Sequence, residues 1–381
     1  MPTSNWDDLY QSAYTKGVDR IRSIAGVCCA FHSVIDGMIR VTPDLLFPLL
    51  NDNANLKNAA LSGCQGQFPS EIHSPEDFMQ GLFYSLSRGS ALQRMIRSRE
   101  TQQWVMETFG SGEHRLGGTA GNMARSLAPL GIPVTVYANP LTTELAQLFG
   151  HYPNLNVISR QKDHFTKVSP HAAAKDQGLF AIHWIFEYDT DFIMNVDGIR
   201  VQPHRANRYI PSWNPVNNQF RMSLDFAQGF LSLLDSYSHL LFSGFHILSD
   251  RYPDSTTCVD VIKPLSDYLE VIRKRSPKLK IHLELASIAM PMVRRAVGRD
   301  IVPLAHSIGL NETELPSFLK PIHPLAEFEL GEQPRALDYC RALAVILRST
   351  PVERIHFHNL GYYISLERDP WTSRETSRDA L

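Results

Sequence analysis

Short apolar runs alternate with longer amphipathic segments along most of this chain. The short runs are rich in β-branched and aromatic residues, and they predict strands at residues 27–31, 133–138, 240–243, 281–285 and 354–358. The longer segments have apolar residues at helical spacing, and they predict helices at residues 122–130, 143–149, 224–236, 259–275 and 335–348. Alternating strands and helices are typical of a doubly wound α/β fold with a mostly parallel central sheet.

Two regions interrupt this alternation. Residues 37–115 and 176–215 are richer in aromatic and turn residues, as residues 180–188 illustrate. Their composition fits a smaller β-containing lid, and it fits a solvated insertion almost as well. The predicted division is a large αβα domain of residues 1–35, 116–175 and 216–381, with a small lid of residues 176–215 and part of 36–115.

Composition narrows the class of partner. The 381 residues carry 37 basic and 39 acidic side chains, with 43% hydrophobic and 20% charged residues. These values are ordinary for a globular protein, and the near-zero net charge argues against binding to nucleic acid or to an anionic membrane surface. We therefore expect small-molecule partners.

The cysteines and the N-terminus bear on location. Five cysteines, an odd number without C-x-x-C spacing, indicate reduced thiols. The first residues lack the pattern of a signal peptide, and no apolar run reaches membrane-spanning length. A cytoplasmic location is the prediction.

Two adjacent glycines give the most informative local pattern. Gly117 and Gly118 precede a helix-forming run that starts at Asn122. Backbone without side chains, followed by a helix N-terminus, suits a hydroxyl-rich or anionic ligand. A Gly-Gly turn is also a common way to begin a helix, so both interpretations stay open.

Polar residues follow two of the predicted strands, at the edge where doubly wound sheets bind ligands. Asp36 follows the first strand, where its carboxylate could bind sugar hydroxyls or could cap a turn. Ser243 and Gly244 end another strand, where they could allow a ligand to approach closely or could permit a tight turn.

Oxygen-bearing side chains elsewhere are candidate magnesium ligands. Glu284 lies on a strand, and Asn311 and Glu314 lie near one another at the start of a predicted helix. Mg²⁺ prefers oxygen ligands and keeps several waters. The Asn311 and Glu314 pair also has the spacing of a capping box. His356 and His358 share one face of a strand, but no further clustered Cys or His supports a zinc site.

Eight segments spread over nearly the whole chain form a consistent series. They are VID at 34–36, RLGGTAGNMA at 115–124, AIHWIFEY at 181–188, ANRYI at 206–210, LFSGFH at 241–246, IHLELA at 281–286, HSIGLNETEL at 306–315 and RIHFHNLGYY at 354–363. In order and spacing the series resembles the ADP-dependent sugar kinases, which comprise the ADP-dependent glucokinases and 6-phosphofructokinases of the ribokinase-like superfamily. The resemblance implies a ribokinase-like αβα sandwich with a lid, which transfers the β-phosphoryl group of Mg-ADP to a sugar and releases AMP in a glycolytic step.

The resemblance also implies a role for each matching residue. Arg208 would reach from the lid to the nucleotide phosphates and offset charge on the transferred group. The implied sugar-binding residues are Asp36, Gln93, Gly117, Gly118, Asn122 and His183. The implied nucleotide-binding residues are Arg208, Ser243, Gly244, His356, His358, Gly361 and Tyr362, and the implied magnesium-binding residues are Glu284, Asn311 and Glu314.

Two positions depart from the family pattern where the sugar binds. Gln93 stands where the family's glucokinases carry a Glu, and Val34 stands where archaeal members often have Asn. The choice between glucose and fructose 6-phosphate is therefore open. Glucose is slightly favoured because the sequence has no clear added basic cluster for a sugar phosphate.

A further departure lies at the end of the sequence. Family members continue into a late Gly-x-Gly-Asp segment, whose amides form an anion hole and whose Asp accepts the proton of the sugar hydroxyl. This sequence ends at Leu381 without such a segment, and Asp379 is a poor substitute. We expect a sugar kinase represented by an incomplete chain, whose catalytic base would lie beyond Leu381. The alternative is a shortened protein that binds sugar or nucleotide without turnover.

Overall fold

The larger sheet of the computed structural model is mostly parallel. The structure describes residues 6–176, 181–216, 218, 222–322, 330–331 and 334–369. Within these ranges the sheet has nine strands, β1 (Val27–Ala30), β5 (Val134–Val136), β6 (Leu155–Gln161), β7 (His164–Val168), β12 (His239–Phe242), β13 (Lys280–Glu284), β14 (Ser307–Asn311), β15 (Arg354–His358) and β16 (Tyr363–Glu367).

The strand order brings the carboxyl ends of most strands to one edge of this sheet. The order is β16-β15-β14-β13-β12-β1-β5-β6-β7, and the outermost pairs β15–β16 and β6–β7 are antiparallel. All other neighbours are parallel. The carboxyl ends of the central strands therefore meet at one edge, where ligands bind in folds of this class.

A smaller mixed sheet has the order β3-β11-β8-β2-β4. Its strands are β2 (Val34–Arg40), β3 (Leu92–Met95), β4 (Glu113–Gly117), β8 (Ile182–Tyr188) and β11 (Asn207–Trp213), and β9 (Met194–Val196) pairs with β10 (Ile199–Val201) in a separate hairpin. Only three residues separate β1 from β2, so the chain passes directly from the larger sheet into the smaller one.

Helices cover the sheets and end at local sequence signals. They are α1 (Trp6–Arg22), α2 (Pro43–Asp52), α3 (Ala54–Cys64), α4 (Pro75–Arg88), α5 (Arg99–Phe109), α6 (Thr119–Leu127), α7 (Thr143–Phe149), α8 (Pro170–Ala173), α9 (Leu224–Ser232), α10 (Cys258–Arg275), α11 (Pro291–Ala296), α12 (Glu314–Ile322) and α13 (Ala336–Ser349). For example, the Ser74 side chain accepts a hydrogen bond from the Asp77 amide at the start of α4, and Gly89 ends that helix with a φ of 55°. No helix among the described residues is both long and apolar enough to cross a membrane.

Strand β1 contributes to two hydrophobic cores because its side chains alternate between the faces of the sheet. Cys28 and Ala30 pack into a core under the later strands of the larger sheet. Val27 and Cys29 pack into a second core that extends into the smaller sheet, where Trp184 is fully buried. The two sheets therefore share buried apolar surface.

The predicted α/β class with a mostly parallel sheet is confirmed. All five predicted strands and all five predicted helices are present, with ends shifted by a few residues; the helix predicted from residue 122 begins at Thr119. The elements that were missed include strands β6 and β14 and helices α1 to α5. The domain boundaries remain a prediction.

Two predictions fall on residues that the structure does not describe. Residues 177–180, at the start of the second lid segment, lie outside the described residues. The end of the chain, with Asp379 and Leu381, lies outside them as well. The expectation that the family's catalytic base would lie beyond Leu381 therefore stays a prediction.

Candidate active site

A cleft of about 760 Å³ lies between the two sheets. The described residues that line it come from both sheets and from α6. They include seven of the predicted site residues, namely Asp36, Gln93, Gly118, Asn122, His183, Arg208 and Glu284. The structure therefore brings together side chains that are up to 248 positions apart in the sequence, from 36 to 284.

The two glycines allow backbone and side chains to approach one another at the wall of the cleft. A Cβ atom on Gly117 would lie 2.0 Å from Asp36 Oδ1. Gly118 has a φ of 77°, and a Cβ atom there would lie 2.4 Å from the His32 carbonyl oxygen. Gly118 is also the N-cap of α6, so this one residue begins a helix and borders the cleft, whereas Gly117 ends β4 and lies outside the cleft lining.

Asp36 lies within β2 and not in a turn, so the turn interpretation is wrong. It pairs in register with His183 on β8, and its Oδ1 lies 3.9 Å from His183 Nδ1. The same oxygen has no hydrogen-bond partner among the described residues. Burial raises the pKa of Asp36 to about 7, although the charge of Arg208 acts in the opposite direction. Asp36 thus offers an unpaired oxygen to a ligand.

Three histidines form a cluster in the cleft lining, and one of them, His183, lies beside Asp36. The ring centroid of His32 lies 5.0 Å from that of His183 and 5.0 Å from that of His246. The sequence predicted only His183. His246 was visible as the end of the LFSGFH segment, but neither it nor His32 had a signal that marked it as a site residue.

Arg208 and Gln93 lie on neighbouring strands of the smaller sheet. Arg208, on β11, is opposite Glu187 on β8, and it is the one Lys or Arg among the described residues that line the cleft. Gln93 Nε2, on β3, donates a hydrogen bond to Ser212 Oγ at 3.1 Å. A single guanidinium therefore provides the fixed positive charge of the cleft wall.

Glu284 is an ionised carboxylate at the end of β13. Burial opposes its ionisation, but hydrogen bonds with His282 Nε2 at 3.1 Å and His358 Nε2 at 3.0 Å outweigh burial and lower the pKa to about 2. The same contact raises the pKa of His358. Gly309 leaves room for this carboxylate, since a Cβ atom there would lie 1.9 Å from Glu284 Oε2.

Asn311 and Glu314 form the reciprocal contacts of a capping box. The Asn311 amide donates to Glu314 Oε2 at 3.0 Å, and the Glu314 amide donates to Asn311 Oδ1 at 3.1 Å. Glu314 is 5% exposed, and burial, reinforced by the charge of Glu284, raises its pKa to about 7. The capping interpretation is confirmed, and the role of the pair toward magnesium stays a prediction.

The remaining predicted nucleotide residues lie outside the cleft lining. The rings of His356 and Tyr363 stack with centroids 5.8 Å apart, beside His358. The amides of Gly361 and Tyr362 donate to Asn359 Oδ1, which shapes the turn between β15 and β16.

At the end of β12, the structure supports the turn interpretation of Gly244. Its φ of 111° is one that side chains rarely allow. The buried Ser243 Oγ has no hydrogen-bond partner among the described residues.

Known proteins resemble this chain over nearly its full length. A family model described as the ADP-specific phosphofructokinase/glucokinase conserved region matches residues 25–381. The ADP-specific phosphofructokinase of Methanosarcina acetivorans is 26% identical over 392 aligned residues, which cover 100% of this chain and 78% of the relative. The ADP-dependent glucose/glucosamine kinase of Pyrococcus abyssi is 27% identical over 383 residues, which cover 99% and 79%.

Solved structures agree with these sequence matches. The structure of the last common ancestor of ADP-dependent phosphofructokinases from Methanosarcinales is 26% identical, with a TM-score of 0.78, covering 100% of this chain and 78% of the ancestor. An ADP-dependent kinase in complex with fructose-6-phosphate and ADPβS has a TM-score of 0.83 at 24% identity, covering 100% and 77%, and it shows the shared fold. The resemblance inferred from the eight sequence segments is confirmed, and the chain belongs to the ADP-specific phosphofructokinase/glucokinase family.

Proposed function

We propose that this protein is an ADP-dependent sugar kinase that transfers the β-phosphoryl group of ADP to a hexose hydroxyl and releases AMP, with glucose as the favoured acceptor. The observation that carries the proposal is the division of the cleft. Unpaired hydroxyl-binding groups cluster around Asp36, and fixed charges lie at Arg208 and Glu284. Phosphoryl transfer depends mainly on such positioning and charge stabilisation.

The sugar would bind against the glycine pair and Asp36. Gly117 and Gly118 leave room for Asp36 and for the His32 carbonyl, and Gly118 itself lines the cleft. Asp36 Oδ1 and the ring nitrogens of His183 can each exchange hydrogen bonds with sugar hydroxyls. Asn122 and Gln93, which also line the cleft, supply amide groups with both donors and acceptors.

The nucleotide would lie along the carboxyl edge of the larger sheet. Arg208 offers a guanidinium that can bind phosphate oxygens and offset charge during transfer. Ser243 and Gly244 would border the phosphates, and the stacked pair of His356 and Tyr363 would wall the adenine. His358, Gly361 and Tyr362 complete that wall.

Magnesium fits this edge through oxygen donors and water. Glu284 stays ionised, and Asn311 and Glu314 are its oxygen-bearing neighbours. No group of three or more His, Cys, Asp or Glu among the described residues is arranged to hold a metal ion, so substrate phosphates and waters would complete the shell. The ion, when bound, would neutralise phosphate charge. Glu284 would orient its waters.

The charge of the cleft favours an uncharged acceptor. The carboxylates of Asp36, Glu187 and Glu284 line the cleft, against the single guanidinium of Arg208. If Arg208 serves the nucleotide, no second Lys or Arg of the described lining remains for a sugar phosphate. A neutral hexose such as glucose binds without placing a phosphate group next to these carboxylates.

The test is an assay of the full-length protein with Mg-ADP and either glucose or fructose 6-phosphate. We expect AMP and sugar phosphate to form together, faster with glucose, and Arg208→Gln to reduce turnover by about a hundredfold. Calorimetry with each ligand separates binding from chemistry. Binding of sugar and ADP without AMP formation would favour the alternative of a non-catalytic binding protein, and absence of both binding events would rule out the proposal.

A further inference from the structure

His32, His183 and His246 form a cluster in the lining of the cleft, and each has a buried ring nitrogen. His32 and His183 are 1% and 4% exposed, and both contact the cleft together with His246. Each of the three has one buried ring nitrogen without a hydrogen-bond partner among the described residues, namely His32 Nδ1, His183 Nε2 and His246 Nδ1. Buried polar atoms are rarely left unpaired, so a ligand or water is expected to satisfy all three.

The environment keeps these imidazoles neutral. Burial lowers the pKa of His183 to about 3 and of His246 to about 4, and burial lowers the pKa of His32 well below its usual range. Mutual repulsion adds to this effect, because a proton on one ring disfavours a proton on the next. At neutral pH each ring therefore offers one donor and one acceptor.

A contact with Asn214 fixes the orientation of the His32 proton. Asn214 is 1% exposed, and its side-chain nitrogen lies 3.4 Å from His32 Nε2. With the amide donating, Nε2 is the acceptor and the imidazole proton lies on Nδ1. His32 thus presents an N–H donor from its unpaired nitrogen.

A set of neutral donors and acceptors matches hydroxyl groups better than a phosphate ester. A hydroxyl both donates and accepts, so it can pair with either ring nitrogen. A phosphate dianion only accepts, and beside the neutral rings and the Asp36 carboxyl group the described cleft lining offers one positive charge, Arg208, which the proposed function assigns to the nucleotide. Sites that pair buried polar groups with substrate hydroxyls discriminate strongly against ligands that lack those hydroxyls.

We propose that His32 and His246, together with His183, bind the hydroxyl face of an uncharged sugar and exclude a phosphate ester from that end of the cleft. This inference rests on the proposed sugar kinase function and deepens it. It assigns to His32 and His246 a role in choosing the acceptor.

The test replaces each new residue by a ring of similar size without nitrogens. In His32→Phe and His246→Phe, we expect the Kd for glucose to rise about tenfold or more, with the Kd for ADP unchanged. His246→Gln restores an amide donor and acceptor, and we expect it to recover most of the lost affinity. His151→Phe is the matched control, since His151 is exposed and stacks on His171 away from the cleft lining.

A second variant tests exclusion directly. His246→Arg adds a positive charge at the same position, and we expect the ratio of fructose 6-phosphate to glucose affinity to rise at least about tenfold. This variant also carries the test if the Phe variants fail to fold, as judged by circular dichroism. A folded His246→Arg chain without that shift would overturn the inference.

The outcomes separate this inference from the proposed function. If folded Phe variants bind glucose as the unsubstituted chain does, the histidine role is wrong and the kinase stands. If the unsubstituted chain prefers fructose 6-phosphate to glucose, the histidine role is likewise wrong and the kinase function stands. Absence of binding to any hexose and to ADP by the unsubstituted chain would reject the proposed function itself.

Discussion

The pKa shifts of His183 and His246, which line the cleft, are opposite to that of His358, which contacts Glu284 outside the cleft lining. At the sugar end, His183 and His246 are buried beside other imidazoles, and burial lowers their pKa to about 3 and about 4. At the edge of the larger sheet, His358 contacts the ionised Glu284, and that hydrogen bond raises its pKa. A paired carboxylate favours the charged imidazole, and burial without one favours the neutral form.

This difference assigns the two ends to different chemistry. Neutral rings suit an uncharged, hydroxyl-rich ligand, whereas a carboxylate held by two imidazoles and a nearby guanidinium suit phosphate and metal charge. Under the proposed function, histidines would serve sugar recognition in the cleft and electrostatics beside Glu284. Four experiments test this comparison.

The largest expected effect comes from a substitution that prevents the close approach of Gly118 to the His32 backbone. Gly118→Ala would place a Cβ atom 2.4 Å from the His32 carbonyl oxygen, at a φ of 77°. We expect a loss of about 3 kcal/mol in the free energy of unfolding and loss of sugar binding, because backbone must move. Urea denaturation and calorimetry measure the two effects.

Gly131→Ala is the control for that experiment. Gly131 has a φ of 78°, but nothing lies within 4 Å of a Cβ atom there. We expect the free energy of unfolding to fall by about 1 kcal/mol, from the backbone conformation alone. Equal losses in the two variants would show that the contact with His32 is unimportant.

At the charged end, Glu284→Gln keeps the side-chain volume and removes the charge. The two hydrogen bonds with His282 and His358 are charge-assisted, so we expect the free energy of unfolding at pH 7 to fall by about 2 kcal/mol. Glu270→Gln, on an exposed ion pair with Lys274, should change it by less than about 0.5 kcal/mol. A negligible effect of Glu284→Gln would contradict the ion-pair description.

The pH dependence of stability tests the sugar end. The folded-state pKa values of His183 and His246 are lowered, so below pH 6.5 the unfolded chain binds more protons than the folded chain. The free energy of unfolding therefore decreases as the pH is lowered. Asp36 has the opposite sign, because its folded-state pKa is raised to about 7 from 3.8. Its stabilising contribution is complete below pH 3.8 and is lost as pH rises through 7.

Asp36→Asn removes that opposing contribution. Between pH 7 and pH 4, the variant should therefore lose stability more steeply than the unsubstituted chain, by about 1 kcal/mol per pH unit. Denaturant unfolding at a series of pH values gives both slopes. Parallel profiles would mean that Asp36 is ionised in the folded chain at pH 4 and above.

The smallest perturbation is a titration without mutation. Imidazole NMR signals of His183 and His246 should show no protonation between pH 7 and pH 5, while His358 should titrate above the ordinary value of 6.5. Assignment by single His→Gln variants identifies each signal. Ordinary titration of all three rings would remove the contrast between the two ends.

Local patterns predicted the framework of this protein well. Strand β1 is buried throughout, and strands β12, β13 and β15 alternate buried with half-buried residues, so their apolar runs marked them as strands. The spacing of Asn311 and Glu314 predicted their capping contacts, which involve only neighbouring residues. Strand β14 was missed because its short run, Ser307–Asn311, contains serine, glycine and asparagine.

The position of Asp36 could not be read from sequence spacing. Its distance from β1 placed it at the end of a strand, whereas it lies within β2 in the smaller sheet. The chain crosses between sheets in three residues, 31–33, and only the pairing of β2 with β8 brings Asp36 to His183.

The sequence by itself determined five strands and five helices around the larger sheet, the family and the main polar candidates, because these depend on local periodicity and on the order of motifs. The tertiary structure decided that His32, His183 and His246 meet, since they come from three distant segments. The tertiary structure also decided the protonation states of the histidines. Whether a histidine is neutral or charged depends on burial and on its nearest carboxylate, and both are set by packing between sheets.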